Sequence, residues 1–134
     1  MRATLCCVIA ILAFVVMSPA AGAQQGHPLV GVWLGDWGPS ASDRHQVVLE
    51  LTYMNTTLSG TVNPGEADET PLKVAQLNSS NWTVHFEGDS KDASGKPVKV
   101  VIDGQIENLG AAKRSLTGTW TRGTTKGPFK LTRE

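Results

Sequence analysis

Apolar and polar residues alternate with a period of two along most of this chain. From His45 to Tyr53, Val47, Leu49, Leu51 and Tyr53 fall on one face, and Val48, Glu50 and Thr52 on the other. Such alternation marks a half-buried β-strand. Between Val30 and Trp37 the odd positions carry Gly31, Trp33, Gly35 and Trp37. Further strands are predicted at Thr57–Asn63, with Leu58, Gly60 and Val62 inward, and at Leu72–Leu77. Then Trp82, Val84 and Phe86 alternate with Thr83, His85 and Glu87, which places the first three inward and His85 toward solvent. Val98–Glu107 is the longest predicted strand, with Val98, Val100, Ile102, Gly104 and Ile106 on one face. Leu116, Gly118 and Trp120 alternate with Thr117, Thr119 and Thr121, and Phe129 and Leu131 close the series.

Turn-forming residues separate these runs: Gly38-Pro39-Ser40, which breaks the first strand, Met54-Asn55-Thr56, Pro64–Glu69, Asn78–Asn81, Gly88–Pro97 and Asn108–Arg114. No segment carries a helical stripe over 11 or more residues. Short connections favour antiparallel hairpins between neighbours in sequence. An open meander of this size exposes two edges, and closure into a barrel removes them. The expected fold is therefore all-β, a small antiparallel up-and-down barrel of about eight strands. Gly60, Gly104 and Gly118 mark bends or close backbone approaches that let such a sheet coil.

The N-terminus follows different rules. Arg2 precedes an unbroken apolar run, Leu5–Met17, and Ala21-Gly22-Ala23 forms a small-residue cleavage box. That is the layout of a secretory signal peptide, 1–23, followed by a polar, flexible lead, 24–29, and a single barrel domain, 30–134. The run is short for a membrane span, which needs about 20 apolar residues. A secreted or periplasmic location follows, with no membrane association after cleavage. Both cysteines, Cys6 and Cys7, leave with the signal, so the exported chain has no disulfide and no thiolate. Its 134-residue precursor has 12 basic and 12 acidic side chains. This balance argues against a nucleic-acid partner, which selects a clustered basic excess.

Catalytic chemistry leaves little trace. The chain has no G-x-S-x-G elbow, no phosphate loop and no dinucleotide fingerprint. His27, His45 and His85 lack a second His or a Cys at ligand spacing, so no metal and no cofactor is expected. Glu66, Asp68 and Glu69 in one loop, and Asp89 and Asp92 in another, do not follow a calcium-loop pattern and read as solvated. Three N-x-S/T triplets, at Asn55, Asn78 and Asn81, read as turn chemistry.

The tryptophans are the remaining signal. Trp33, Trp37, Trp82 and Trp120 all survive cleavage and all point inward by alternation. In a lean core they bury the most area per residue, or some of them line a pocket at an open barrel end.

Gly31-Val32-Trp33, just after a signal and a short lead, resembles the G-x-W motif of the calycin group: lipocalins, fatty-acid-binding proteins and avidins. The resemblance implies a closed barrel in which Trp33 plugs one end under a basic residue of the last strand, Arg133 or Lys130. Leu58-Ser59-Gly60-Thr61, Trp82-Thr83-Val84 and Leu116-Thr117-Gly118-Thr119-Trp120 look avidin-like in order and spacing. The positions where avidins place polar biotin contacts hold Gly35, Trp37, Pro39 and Val62, none with a side-chain hydroxyl or amide. The same motifs also resemble the β-rich module that precedes the catalytic domain in secreted bacterial hydrolases, which implies a binding or accessory role.

Three functions follow as expectations. The first is an exported, non-enzymatic binding protein, a lipocalin-like barrel for a small apolar or amphipathic ligand held by Trp33, Trp37, Tyr53, Trp82 and Trp120. The second is a protein-interaction or inhibitor module with a filled core, whose outward patch of Val30, Val32, Leu34 and Val101 meets a partner or a second copy of the chain. The third, weakest, is an enzyme, for which no catalytic residue stands out.

Overall fold

A computed structural model describes residues 27–134; the expected signal peptide, 1–23, and the first part of the expected lead lie outside the described residues. The strands are β1 (Gly31–Ser40), β2 (Asp43–Met54), β3 (Thr57–Val62), β4 (Thr70–Asn78), β5 (Thr83–Lys91), β6 (Pro97–Glu107), β7 (Ser115–Arg122) and β8 (Thr125–Arg133). They form one closed antiparallel barrel in sequence order. Closure is made by β8 returning to β1, with Trp33 opposite Arg133 and Trp37 opposite Phe129. The expected all-β up-and-down barrel is the architecture observed, and it leaves no free sheet edge except where one seam parts.

Alternation sets the interior. Val47, Leu49 and Leu51 of β2, Val84 and Phe86 of β5, Val100, Ile102 and Ile106 of β6, and Phe129 and Leu131 of β8 are buried together with Trp33, Trp37 and Trp120. Polar partners on the same strands face water, as the period-two pattern dictates. The rings pack as a chain: Trp37 stacks on Trp120 with centroids 5.9 Å apart, and Phe129 meets Trp120 edge-on at 5.7 Å. Both geometries suit the ring quadrupole. Gly104 makes room for this packing, since a Cβ there would lie 2.7 Å from Phe129 Cζ.

The turns are built by the residues that the sequence marks for them. Asn55 and Thr56 both take positive φ, 51° and 63°, and join Met54 to Thr57 in a two-residue hairpin. Positive φ at both central residues is the twist such hairpins prefer. Asn78 Oδ1 accepts from Ser80 N and Oγ, and Asn81 Oδ1 accepts from Thr83 N and Oγ1. Asp92 Oδ1 accepts from the Ser94 and Lys96 amides and the Ser94 hydroxyl. These bonds, the Ser94 hydroxyl foremost, hold the Asp92 carboxyl below its ordinary pKa.

The elements differ from expectation at β1, at the end of the lead and at β5, which runs on to Lys91 inside the expected Gly88–Pro97 loop. Gly38-Pro39-Ser40 does not end β1; pairing resumes at Ser40 with Asp43 after an irregularity beyond Trp37. A bulge absorbs the proline, which cannot donate to a ladder. The end of the lead is not loose: Leu29 is fully buried, its carbonyl accepts from Trp33 Nε1 at 2.8 Å, and Arg114 reaches the Pro28 carbonyl at 2.8 Å. The seam between β3 and β4 is short, pairing only Thr61 with Pro71 and Val62 with Thr70.

Candidate functional site

The two ends of the barrel are unlike. One is closed by Trp33, Leu29 and Arg133. Trp33 and Arg133 are directly opposed across β1 and β8, so their side chains share a face. Of the two basic residues implied by the calycin resemblance, Arg133 takes the place beside Trp33, while Lys130 is exposed on the outside. His27 lies against the Tyr53 ring, centroids 4.7 Å apart, and burial there pushes its imidazole below the ordinary pKa. Its Nδ1 accepts from the Leu29 amide.

The other end holds a cavity of about 230 Å³ between the upper ends of the strands. Its floor is apolar: Trp37 and Trp120, with Val47, Val62 and Val100. Its wall is polar, formed by Asn63, Asp68, Thr70, Ser90, His45 and Arg122. Trp37 is 5% exposed, so only an edge of its ring reaches the opening.

The wall is held in place by partly buried hydrogen bonds. The Thr70 and Ser90 hydroxyls, both buried, donate to the Asp68 carbonyl at 2.9 and 3.2 Å. Asn63, at a left-handed φ of 49°, accepts from the Val48 amide through Oδ1 and donates through Nδ2 to Asp68 Oδ2 at 3.0 Å. Asp68 thereby has a fixed carbonyl and a fixed carboxylate. Across the opening, His45 Nε2 pairs with Asp43 Oδ1 at 3.1 Å. Arg122 donates to the Lys91 carbonyl at 2.8 Å, at the end of β5.

The five tryptophan and tyrosine candidates are therefore dispersed. Trp37 and Trp120 meet at the open end, and Trp33 plugs the opposite one. Trp82 does not point inward: it takes φ 57° in the turn before β5 and is 36% exposed. Alternation fails there because the backbone is not extended. Tyr53 does not line the interior either; it is 42% exposed and projects past the closed end onto His27. Of the outward residues, Val32 and Leu34 share the outer face of β1 with Val30 just before it, and Val101 stands apart. Leu34 stands opposite Val48 on β1 and β2, Val32 opposite Glu50, and Val30 precedes β1. Val101 sits on β6 between Glu87 and Thr121, with β7 and β8 separating it from β1.

The polar wall went unmarked in the sequence. Thr70 and Ser90 look like any strand residue, and Asp68 falls in a loop whose acidity suggests solvent. The one available signal was Asn63 at the end of an alternating strand, a residue suited to a left-handed turn.

A separate polar row crosses the outer face. Gln76, His85 and Asp103 are successive cross-strand neighbours. His85 Nδ1 meets Asp103 Oδ1 at 2.5 Å and its Nε2 meets Glu87 at 3.3 Å, while Lys99 pairs with Glu87 at 2.9 Å. The Asp103 hydrogen bond raises the His85 pKa, and the Lys99 hydrogen bond, seconded by His85, lowers that of Glu87. Among the described residues no three such side chains converge to hold a metal ion.

No protein-family profile, curated protein or solved structure matches this chain.

Proposed function

We propose that this chain is an exported, non-enzymatic binding protein that takes a small amphipathic ligand at the mouth of its barrel. The observation that carries the reading is the cavity itself: an apolar floor of Trp37 and Trp120 under a hydrogen-bonded polar wall. Ligand sites combine a largely apolar lining with a few fixed polar groups, and barrel mouths are a frequent place for them. The cavity is about 230 Å³, below the roughly 300–1,000 Å³ usual for drug-sized ligands. Beneath it the rings of Trp37, Trp120 and Phe129 fill the interior. The reading is therefore a single-ring molecule at the rim rather than a long acyl chain threaded through the core.

The G-x-W residues Gly31 and Trp33, with Arg133 beside them, support a calycin-like kinship for the barrel. Export rests on the signal-peptide layout of residues 1–23. A second reading, an interaction module, draws support from three exposed large apolar residues, Tyr53, Met54 and Trp82, at the hairpin turns of the closed end. Such residues suit a protein partner more than solvent.

Titration of the exported protein with benzyl alcohol, benzylamine, benzoate and palmitate, read by tryptophan emission, tests the first reading. A saturable change with at least one single-ring compound, reduced in Trp37→Phe, supports it. A response to none, or to palmitate alone, overturns it.

A further inference from the structure

The ring floor says that the ligand has an apolar part; the wall says more about its other end. We infer that the mouth selects a ligand carrying a protonated amine or a comparable cation, received by the Asp68 carboxylate. This rests on the binding reading above and narrows its ligand class.

Asp68 is the wall's fixed anion. Its carbonyl accepts the Thr70 and Ser90 hydroxyls, and its Oδ2 accepts from Asn63 Nδ2. Asn63 is itself pinned by the Val48 amide. Both anchoring hydroxyls are buried, so the carboxylate does not depend on a mobile surface side chain for its position. Its hydrogen-bond donor is a neutral amide. Among the described residues no Lys, Arg or His lies within ion-pair distance of it.

The lining carries two carboxylates, Asp43 and Asp68, against one guanidinium, Arg122. His45 faces Asp43. Arg122, which also lines the cavity, spends one guanidinium nitrogen on the Lys91 carbonyl. An anionic ligand at Arg122 would sit against the excess carboxylate charge of Asp43 and Asp68. A cation meets an unneutralised carboxylate that needs no rearrangement. Charge-assisted hydrogen bonds of this kind are about twice as strong as neutral ones. Preorganisation removes much of the ordering cost of forming them.

The experiment compares benzylamine, benzyl alcohol and benzoate, which share one ring and differ in charge, on the wild-type protein and on Asp68→Asn and Arg122→Gln. Asn at this position keeps the backbone carbonyl for Thr70 and Ser90 and an oxygen for Asn63, so the fold is retained. Benzylamine is expected to bind wild type about tenfold more tightly than benzyl alcohol, with benzoate weakest. Asp68→Asn should erase the amine's advantage and leave benzyl alcohol unchanged. Arg122→Gln, which removes the cation lining the same mouth, should tighten benzylamine. Raising salt on wild type should weaken benzylamine selectively, an arm that does not depend on any variant folding. If benzyl alcohol or benzoate binds as tightly as benzylamine, or Asp68→Asn leaves the amine's preference intact, the inference is overturned while the mouth remains a binding site. If none of the three binds, the binding reading falls and the inference falls with it.

Discussion

Arg133 fills the space that a side chain at Gly31 would need. A Cβ at Gly31 would come within 2.9 Å of Arg133 Nε, and Gly31 sits at φ 132°, where L-residues are strained. The glycine two residues before Trp33 is thus required twice, by its backbone and by the guanidinium opposite. Gly31→Ala should lower unfolding stability by about 1–3 kcal/mol in urea titrations. In an Arg133→Ala background the clash is gone and only the backbone strain remains. The same substitution should then cost less, and the difference measures the coupling. Equal costs in both backgrounds would show that Arg133 does not constrain Gly31.

The four tryptophans should separate sharply in mutational cost. Trp33→Phe removes the donor to the Leu29 carbonyl inside the closed end, leaving a buried acceptor unmatched beside a cavity. About 2–4 kcal/mol of stability should be lost. Trp82→Ala removes a half-exposed ring from a turn and should cost less than about 0.5 kcal/mol. Acrylamide quenching gives an independent check, with Trp82 supplying nearly all of the accessible emission. A Trp82→Ala protein as unstable as Trp33→Phe would contradict the packing described.

These contrasts show what the sequence could reveal. Strand existence, face assignment and barrel closure were legible because the period-two pattern encodes burial directly. Val47, Leu49, Leu51, Val84, Phe86, Ile102 and Trp120 all fall inward as the pattern predicts. Alternation misleads where the backbone leaves the extended region, as at Trp82, or where a strand outruns the barrel, as at Tyr53. The polar wall was not legible, because it is assembled by closure. Asn63 and Asp68 belong to the β3–β4 connection and Ser90 to β5, and their meeting depends on how β2 to β5 pair, which no local pattern states. Gly31-Val32-Trp33 lies at the closed end, and no motif of the sequence marks the opposite one.

Gly104 tests the packing of the ring chain. A Cβ there would meet Phe129 Cζ and the Thr117 carbonyl, each at 2.7 Å. Gly104→Ala should destabilise by about 1–3 kcal/mol through overpacking. Phe129→Leu shortens the intruding ring, so the alanine should be better tolerated in that background. Near-ultraviolet circular dichroism should report the change, since Phe129 packs edge-on to Trp120. Wild-type stability in Gly104→Ala alone would refute the close approach.

The outer-face cluster should give stability a pH dependence of defined sign. The Asp103 hydrogen bond raises the folded His85 pKa above its ordinary value of 6.5. Its stabilising contribution is then fully present below about pH 6.5 and is lost as pH rises through the higher folded value. Glu87 works oppositely. Its pKa is lowered from 4.5, chiefly by the Lys99 hydrogen bond, so its contribution is present above that value and lost as pH falls through the lowered one. Both groups are solvent-exposed and screened, so the effect is small. Thermal unfolding followed from pH 6 to 8 should show a falling Tm for wild type, with a flatter profile for His85→Gln. A Tm that rises over this range through His85 would reverse the assignment.

The β3–β4 seam should be the first part of the barrel to open. Every other neighbouring pair is joined by at least five register partners, and this one only by Thr61 with Pro71 and Val62 with Thr70. Pro71 has no amide to donate, and just beyond it the β4–β5 register shifts between Leu72 and Val74. Amides of Thr57–Gly60 and Lys73–Asn78 that are not committed to β2 or β5 therefore lack a ladder. In native-state hydrogen exchange they should exchange faster than those of β6 by roughly two orders of magnitude, reporting local opening rather than global unfolding. The mouth cavity draws Val62, Asn63 and Thr70 from the paired end of the same seam. A ligand held there should slow exchange across the seam more than elsewhere, because it links strands that the backbone joins weakly. Uniform protection around the barrel, with or without ligand, would show that the seam is as firmly closed as the rest.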